Sequence, residues 1–351
     1  MPRYYDSNSG TSILIIYTGG TIGMFEDPKT GALSNFDFTH LISYVPELQH
    51  FGYRIDSCAF QPPIDSSDMT PEHWKKLVNV IVTNYCRYDG FVVLHGTDTM
   101  AYTASALSFM LENLHKPVIL TGSQLPVGAL RTDGKENLLT AVEIAAAKMP
   151  DGQAAVPEVC IFFESRLMRG NRTTKINSEG FNAFRSFNYH SLAHTGIHIR
   201  YEQQYVLRIP PDKTFTPHYD LDNHLIVLTL FPGISREAVK VVLSIPHLKA
   251  VILKTFGSGN APQQSWLIDL LREMQARDIV VVNITQCDQG SVEMARYATG
   301  LQLLQCGVVN GYDSTIECIV TKLMYLLGKG LQGDMLRQHL EEPIAGEFTK
   351  S

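Results

Sequence analysis

Two short apolar runs, Ile13-Leu14-Ile15-Ile16 and Phe91-Val92-Val93-Leu94, each end in a small hydroxyl-bearing turn. The turns are Tyr17-Thr18-Gly19-Gly20-Thr21-Ile22-Gly23 and His95-Gly96-Thr97-Asp98-Thr99. Continuous apolar runs without polar alternation read as strands buried on both faces, the pattern of a parallel sheet covered by helices. In an open sheet of that kind the ligand crevice lies beyond the carboxyl ends of the strands, so both turns can aim hydroxyls and backbone N–H groups at one bound molecule. Such an arrangement suits attack on a carbonyl.

The rest of the chain extends this reading. From residue 13 to about 165, strand and helix alternate: Ile55 to Phe60 and Pro117 to Leu120 read as strands, and Leu77 to Tyr85, Ala101 to Leu114 and Asn137 to Lys148 as helices. Thr70-Pro71-Glu72 marks one helix start, with a capping hydroxyl before a proline at the first helical position. Residues 166–222 break the rhythm. Strands then return at Leu225 to Leu230, Ala250 to Leu253 and Ile279 to Val282, with helices around Arg236 to Leu243 and Ser265 to Ala276, and with Thr315 to Gly328 closing the unit. The expected fold is α/β: a larger N-terminal parallel-sheet domain with helices on both faces over residues 1–196, a linker over 197–222, and a smaller C-terminal α/β domain over 223–351. Two domains also suit 351 residues, at roughly 100–200 residues each.

Composition narrows the function. A net charge of -6 argues against a protein that holds nucleic acid by charge, and the only early apolar run is too short and too strand-like for a signal peptide or membrane span. A cytoplasmic location is the default expectation. The six cysteines are scattered without a CxxC pair, so reduced, mostly buried thiols are expected rather than a disulfide framework or zinc knuckle. His190, His194 and His198 recur at helical spacing, but Gly196 and polar surroundings make that helix a poor candidate for a metal face, and no metal is assigned.

Each motif admits a chemical and a plain reading. Thr21, at the tip of a Gly-Gly turn, can be a nucleophile if a base activates it, or the turn can be structural; no lysine stands in the Walker position and no GxGxxG is present. Asp98 can hold an ammonium or orient a base, or simply cap the next helix. Asp65-Ser66-Ser67-Asp68 and Thr121-Gly122-Ser123-Gln124 put hydroxyls after two further strands. Arg166, Arg169, Arg172 and Lys175 form a basic cluster that is either a set of salt bridges or the setting for a desolvated Lys175 able to accept a proton.

Taken together, Tyr17 to Met24, Asp65 to Thr70, His95 to Ala104 and Arg169 to Lys175 resemble the type I (cytosolic, bacterial) L-asparaginases. The resemblance runs from about residue 11 to about 345 and includes Gly257 to Gln263 and Asn283 to Cys287. It implies an amidohydrolase that converts L-asparagine and water to L-aspartate and ammonia through a threonyl ester, without cofactor or metal, in a homo-oligomer (dimer or tetramer). Carried over residue by residue, it makes Thr21 the nucleophile and Thr97, Asp98 and Lys175 a proton-moving group. Asp65, Ser66 and Ser67 would hold the substrate carboxylate, Asp98 the substrate ammonium, and the Thr97 N–H with the region of Ser123 the oxyanion. One departure stands out. Many relatives carry a tyrosine in the loop after the nucleophile, whereas Phe25 to Asn35 contains none and Ala32-Leu33 stands near its place. Tyr312 is the substitute considered, and Asn260 is assigned to a neighbouring chain's site.

A regulatory site is also expected in the second domain. Lys254, Thr255, Phe256, Thr285 and Cys287 follow two apolar strands whose polar ends could form a second crevice or be ordinary loop polarity, and the region resembles a second asparagine site at the subunit interface of several type I relatives. Thr174, beside Lys175, is the expected link between the two sites.

Overall fold

The computed structural model describes residues 10–26, 33–34, 38–296 and 298–350. The chain divides into two compact units, Met1–Tyr219 and Asp220–Ser351. The first is built on β1 (Ser12–Tyr17), β2 (Arg54–Ala59), α1 (Pro71–Asn84), β3 (Gly90–Leu94), α2 (Met100–Met110), β4 (Val118–Thr121), α3 (Gly134–Ala146), β5 (Val159–Phe163) and β6 (Arg166–Arg169). Four short strands follow: β7 (Thr174–Lys175), β8 (Phe184–Arg185), β9 (Ala193–His194) and β10 (Arg200–Tyr201).

Among the described residues, eight strands form the main sheet in the order β10-β9-β6-β5-β4-β3-β1-β2, and β2, β1, β3, β4 and β5 run parallel. Every residue of β1 and β3 is buried, as expected for strands covered on both faces. On one face, Ile13 and Ile15 join Leu138, Ala141 and Val142 of α3 in a single apolar cluster. Helix α2 is buried on nearly every side, which accounts for its all-round apolar composition.

Strand order and register together define the working edge. Reading 2-1-3-4-5, the parallel strands reverse direction of progression between β1 and β3, which makes that pair the topological switch point. Tyr17 is paired with both Ala59 and Leu94, and Leu94 with Thr121, so the turns after all four strands leave the sheet at one level.

Several boundaries differ from the sequence reading. The helix expected over Ala101 to Leu114 stops at Met110, because Asn113 takes a left-handed conformation and Leu111–Glu112 pair with Thr216–Pro217. The segment 197–222 is not a free linker, since most of it packs on the first unit. Arg200–Tyr201 extend the sheet, Val206 joins the core, Arg208 donates to the Ala154 and Ala155 carbonyls, and Phe215 stacks on Tyr85 at 4.1 Å. These aromatic and cationic anchors hold the chain to the first unit as far as Tyr219.

The second unit carries a four-stranded parallel sheet in chain order, β11 (Leu225–Thr229), β12 (Ala250–Thr255), β13 (Val280–Thr285) and β14 (Val309–Asn310). Helices α4 (Arg236–Leu243), α5 (Ser265–Ala276) and α6 (Ala298–Gln305) contribute to one apolar cluster with β12 and β13. Helix α7 (Ile316–Gly328) packs on β11 and β12. It does not close the unit: α8 (Gly333–Leu340) follows, and then a strap held by Glu347, which is fully buried 2.7 Å from the equally buried Lys322. No described helix is long and apolar enough to cross a membrane.

Candidate active site

Glycines bring the turns together. At Gly19, with φ 146°, a Cβ would lie 1.9 Å from the Ile64 carbonyl oxygen; at Gly20, with φ 93°, it would lie 2.5 Å from the Gly96 nitrogen. A Cβ at Gly96 would lie 2.5 Å from Ser66 Oγ. Only glycine allows this approach and this backbone, so the turn after β1 seats directly against the turn after β3, which in turn meets the turn after β2. Hydrogen bonds fix the contact: Thr18 donates from both its N–H and its hydroxyl to the Leu94 carbonyl at 3.0 Å, and the Thr99 hydroxyl donates to the Ser66 carbonyl at 2.6 Å. Thr21 opens a single turn of 3-10 helix, half-buried, and its hydroxyl has no hydrogen-bond partner among the described residues.

Lys175 reaches the same edge from β7. Its ammonium donates to Thr97 Oγ1 at 2.9 Å and to Asp98 Oδ1 at 2.6 Å. The lysine is 18% exposed and the aspartate 62%, so the cation is sheltered while Asp98 opens to solvent. Asp98 is therefore not a helix cap: Thr99 takes that position before α2, with no side-chain cap bond. The rest of the basic cluster is structural. Arg169 makes a two-pronged ion pair with Glu158 at 2.6 and 3.1 Å, both residues buried, and the guanidinium groups of Arg169 and Arg172 lie over the Tyr189 ring. These contacts anchor the chain leading into β7.

The proposed substrate-binding residues divide. Ser66 is buried, and its hydroxyl has no hydrogen-bond partner among the described residues. Asp65 instead accepts from the Ser67 N–H and hydroxyl, both at 2.9 Å, and these bonds hold its carboxyl below the usual range. An ionised carboxylate cannot donate to a substrate carboxylate, and Asp65 shapes the turn that carries Ser66. The Ser123 hydroxyl donates to the Leu125 carbonyl at 2.5 Å, which closes its own turn.

Several contributors had no distinct signal in the sequence. The Tyr17 hydroxyl donates to the Gly20 carbonyl at 3.1 Å, immediately before Thr21, and burial pushes its pKa to about 12, so it remains a donor. His95 is fully buried, with Nδ1 2.7 Å from the Gly96 carbonyl and Nε2 2.9 Å from Thr103 Oγ1, which also accepts from the Trp74 indole at 3.0 Å. A carbonyl only accepts, so Nδ1 carries the proton and the ring is neutral; burial lowers its pKa to about 4. A donor chain thus runs from Trp74 through Thr103 and His95 to the peptide preceding Thr97. His190, His194 and His198 lie on no helix: His190 stacks on Tyr205 and His194 sits in β9.

In the second unit, the Thr285 hydroxyl donates to the Gly257 carbonyl at 2.6 Å and accepts from the Cys287 N–H at 2.9 Å. Thr255 is buried and donates to Asn283 Oδ1 at 2.7 Å. Phe256 and Asn260 bridge each other, and Asn260 Oδ1 accepts from Thr299. Lys254 is half-buried and Cys287 exposed. Because the four strands run in chain order, the ordering creates no switch point, and a second crevice would rest on these turns alone. Tyr312 stacks on Phe348 at 4.8 Å. In the first unit, Thr174 precedes Lys175 in β7. In the loop that lacks a tyrosine, Phe25–Glu26 pair with Leu33–Ser34, and Ala32 and Asn35 lie outside the described residues.

Comparison with known proteins gives the family. The family model "Asparaginase, N-terminal" matches residues 12–207, and "Glutaminase/Asparaginase C-terminal domain" matches residues 224–340. L-asparaginase 1 of Escherichia coli K12 is 45% identical, over 96% of this chain and 98% of its own length. A 60 kDa lysophospholipase of Mus musculus is 40% identical over 96% of this chain and 62% of its own length. The crystal structure of L-asparaginase I from Vibrio cholerae superposes with a TM-score of 0.88 at 42% identity, covering 97% of this chain and 99% of that one.

Proposed function

The chain belongs to the asparaginase family as an L-asparaginase, and from that premise we propose that it hydrolyses L-asparagine to L-aspartate and ammonia through an ester on Thr21. The observation that carries the reading is the Lys175 ammonium held on Thr97 Oγ1 and Asp98 beyond β3, with the Thr21 turn seated against Gly96.

Thr21 Oγ attacks the side-chain amide carbon, and its proton passes to the nitrogen, which leaves as ammonia. Water then adds to the ester, the C–O bond to Thr21 breaks, and a proton returns to Thr21 as L-aspartate departs. Thr97, Asp98 and Lys175 relay these protons, because a threonine oxygen beside an ammonium carries developing negative charge at lower cost. The Thr97 N–H faces the oxyanion, and His95 fixes the peptide that carries it. Ser66 donates to the substrate carboxylate, and the second oxygen of Asp98 receives the ammonium. Asparagine also acts as an activator at the turns of Thr285 and Phe256, and the chain works as a homo-oligomer.

The test is ammonia release from L-asparagine and L-glutamine, with molecular mass in solution measured alongside. Thr21→Ala should still bind asparagine and lose turnover by several orders of magnitude. Near-normal turnover in that variant overturns the nucleophile. Fatty-acid release from a lysophospholipid without ammonia release from asparagine overturns the substrate.

A further inference from the structure

A cavity of about 350 Å³ lies in the first unit, lined in part by Lys116, Lys148, Arg208, Asp89 and Ala147. Asp89 directly precedes β3, Lys116 stands just before β4, and Ala147 follows α3. The cavity therefore sits at the amino ends of the strands, the pole opposite the threonine-bearing turns.

The cations there are bonded mainly to neutral groups. The Lys116 ammonium donates to the Tyr85 and Tyr88 carbonyls at 2.6 and 2.7 Å and lies 4.9 Å from the centre of the Tyr85 ring, so all of its described partners are neutral. Arg208 donates to two backbone carbonyls and to Gln203 Oε1. No described carboxylate stands within ion-pair distance of either residue. Asp89, the one acid among the described residues that line the cavity, is engaged by Lys148 at 2.9 Å and by Ser12. The carboxyl ends of helices attract cations, which explains one lysine beside Tyr85. It does not explain three cations around one carboxylate at a cavity whose wall includes Ala145, Ala146, Pro157 and Ile209 beside the polar His115 and Gln153. Burial pulls the Lys116 ammonium below the usual lysine range, as expected where a cation lacks a full counter-charge.

We propose that this cavity binds a small organic anion, a carboxylate or phosphate head on a short apolar body, with the head on Lys116 and Arg208 and the body against the alanine and proline wall. The head supplies the missing counter-charge, and the wall favours a carbon chain over a bare ion.

Calorimetric titration of the full chain with propylphosphonate and with butyrate, against inorganic phosphate and chloride at matched ionic strength, tests this. At least one of the two organic anions should bind one site per chain more tightly than inorganic phosphate, and which one binds identifies the head group. Binding should weaken by about tenfold or more in Arg208→Gln and vanish in Ala147→Phe, which fills the cavity but keeps every cation. Asparagine should not compete. The site is overturned if neither organic anion binds the wild type above chloride, if binding survives Ala147→Phe, or if asparagine displaces the ligand. Should Arg208→Gln fail to fold, Ala147→Phe decides alone.

Discussion

Lys175 Nζ lies 2.9 Å from Thr97 Oγ1, although the two residues are 78 positions apart in the chain. Thr97 leaves the sheet at the end of β3, while Lys175 arrives on a two-residue strand paired with Phe184–Arg185. The encounter depends on the chain after β6. There Arg169 is clamped by Glu158, and a Cβ at Gly170 would lie 2.9 Å from that of Ala104 on α2. The cation is thus delivered by the scaffold rather than by a flexible arm.

If the ammonium acts on the moving protons and not on the resting substrate, as proposed, Lys175→Met should lower kcat by about 10²–10⁴-fold with little change in KM. The pair is partly open to solvent, so stability should change by no more than about 1 kcal/mol. Steady-state kinetics and denaturant titration check both. A raised KM at constant kcat would move Lys175 to substrate binding.

Gly20→Ala should damage activity more than its size suggests. The new methyl would meet the Gly96 backbone at 2.5 Å from a residue whose φ is 93°, so the turn must withdraw and carry Thr21 with it. A displacement of about 1 Å costs on the order of 100-fold in rate, and the left-handed backbone adds roughly 1–3 kcal/mol of destabilisation. Turnover near wild type would mean that Thr21 tolerates a looser seat.

His95 predicts a pH dependence of stability. Its folded pKa of about 4 lies below the ordinary histidine value of 6.5, so between these values the unfolded chain binds the proton that the buried ring refuses. The stabilisation is complete above pH 6.5 and is lost as pH falls towards about 4. Its contribution should be about 2 kcal/mol smaller at pH 5 than at pH 7.5. Urea denaturation of wild type and His95→Asn at both pH values isolates the term, since the variant should lack that part of the slope. Equal slopes would mean that His95 titrates normally in the fold.

Much of this was legible because the informative residues are consecutive. Ile13 to Ile16 and Phe91 to Leu94 announce buried strands, and Gly19-Gly20-Thr21 and Thr97-Asp98 follow them directly. Lys175 was legible only through the motif from Arg169, because local pattern does not reveal which cation of a cluster will turn inward. The roles of Tyr17, Thr18, Thr99 and Thr103 were hidden for a related reason: each acts through a hydroxyl bond whose partner is set by register or helix packing. Asp65 and Ser123 show how local bonds compete with a ligand. A polar residue after a strand serves its own turn as readily as a ligand, and here Ser67 and the Leu125 carbonyl claim them. Prolines and polar residues over 197–222 mark irregular backbone, and irregular backbone held by Phe215 and Arg208 is still part of the unit.

The second-site reading makes the last prediction, and the turn geometry determines how to test it. The Thr285 hydroxyl is engaged on both sides, by the Gly257 carbonyl and the Cys287 N–H, so Thr285→Val would disturb the turn whether or not a ligand binds there. Cys287 is exposed and its side chain holds no part of that turn, so Cys287→Trp blocks the surface while leaving the backbone bonds in place. If asparagine binds there and favours the active arrangement, initial rates should rise sigmoidally with asparagine, because only differential affinity for two states can produce activation. Cys287→Trp should then flatten the curve toward a hyperbola or displace it along the concentration axis, without moving the melting temperature and with the Thr21 chemistry intact. Thr285→Val should give the same kinetic change together with a loss of stability, which separates the ligand effect from the turn effect. Hyperbolic rates in the wild type across the whole range, unchanged by Cys287→Trp, would remove the activating site and leave a single asparagine site beyond β1 and β3.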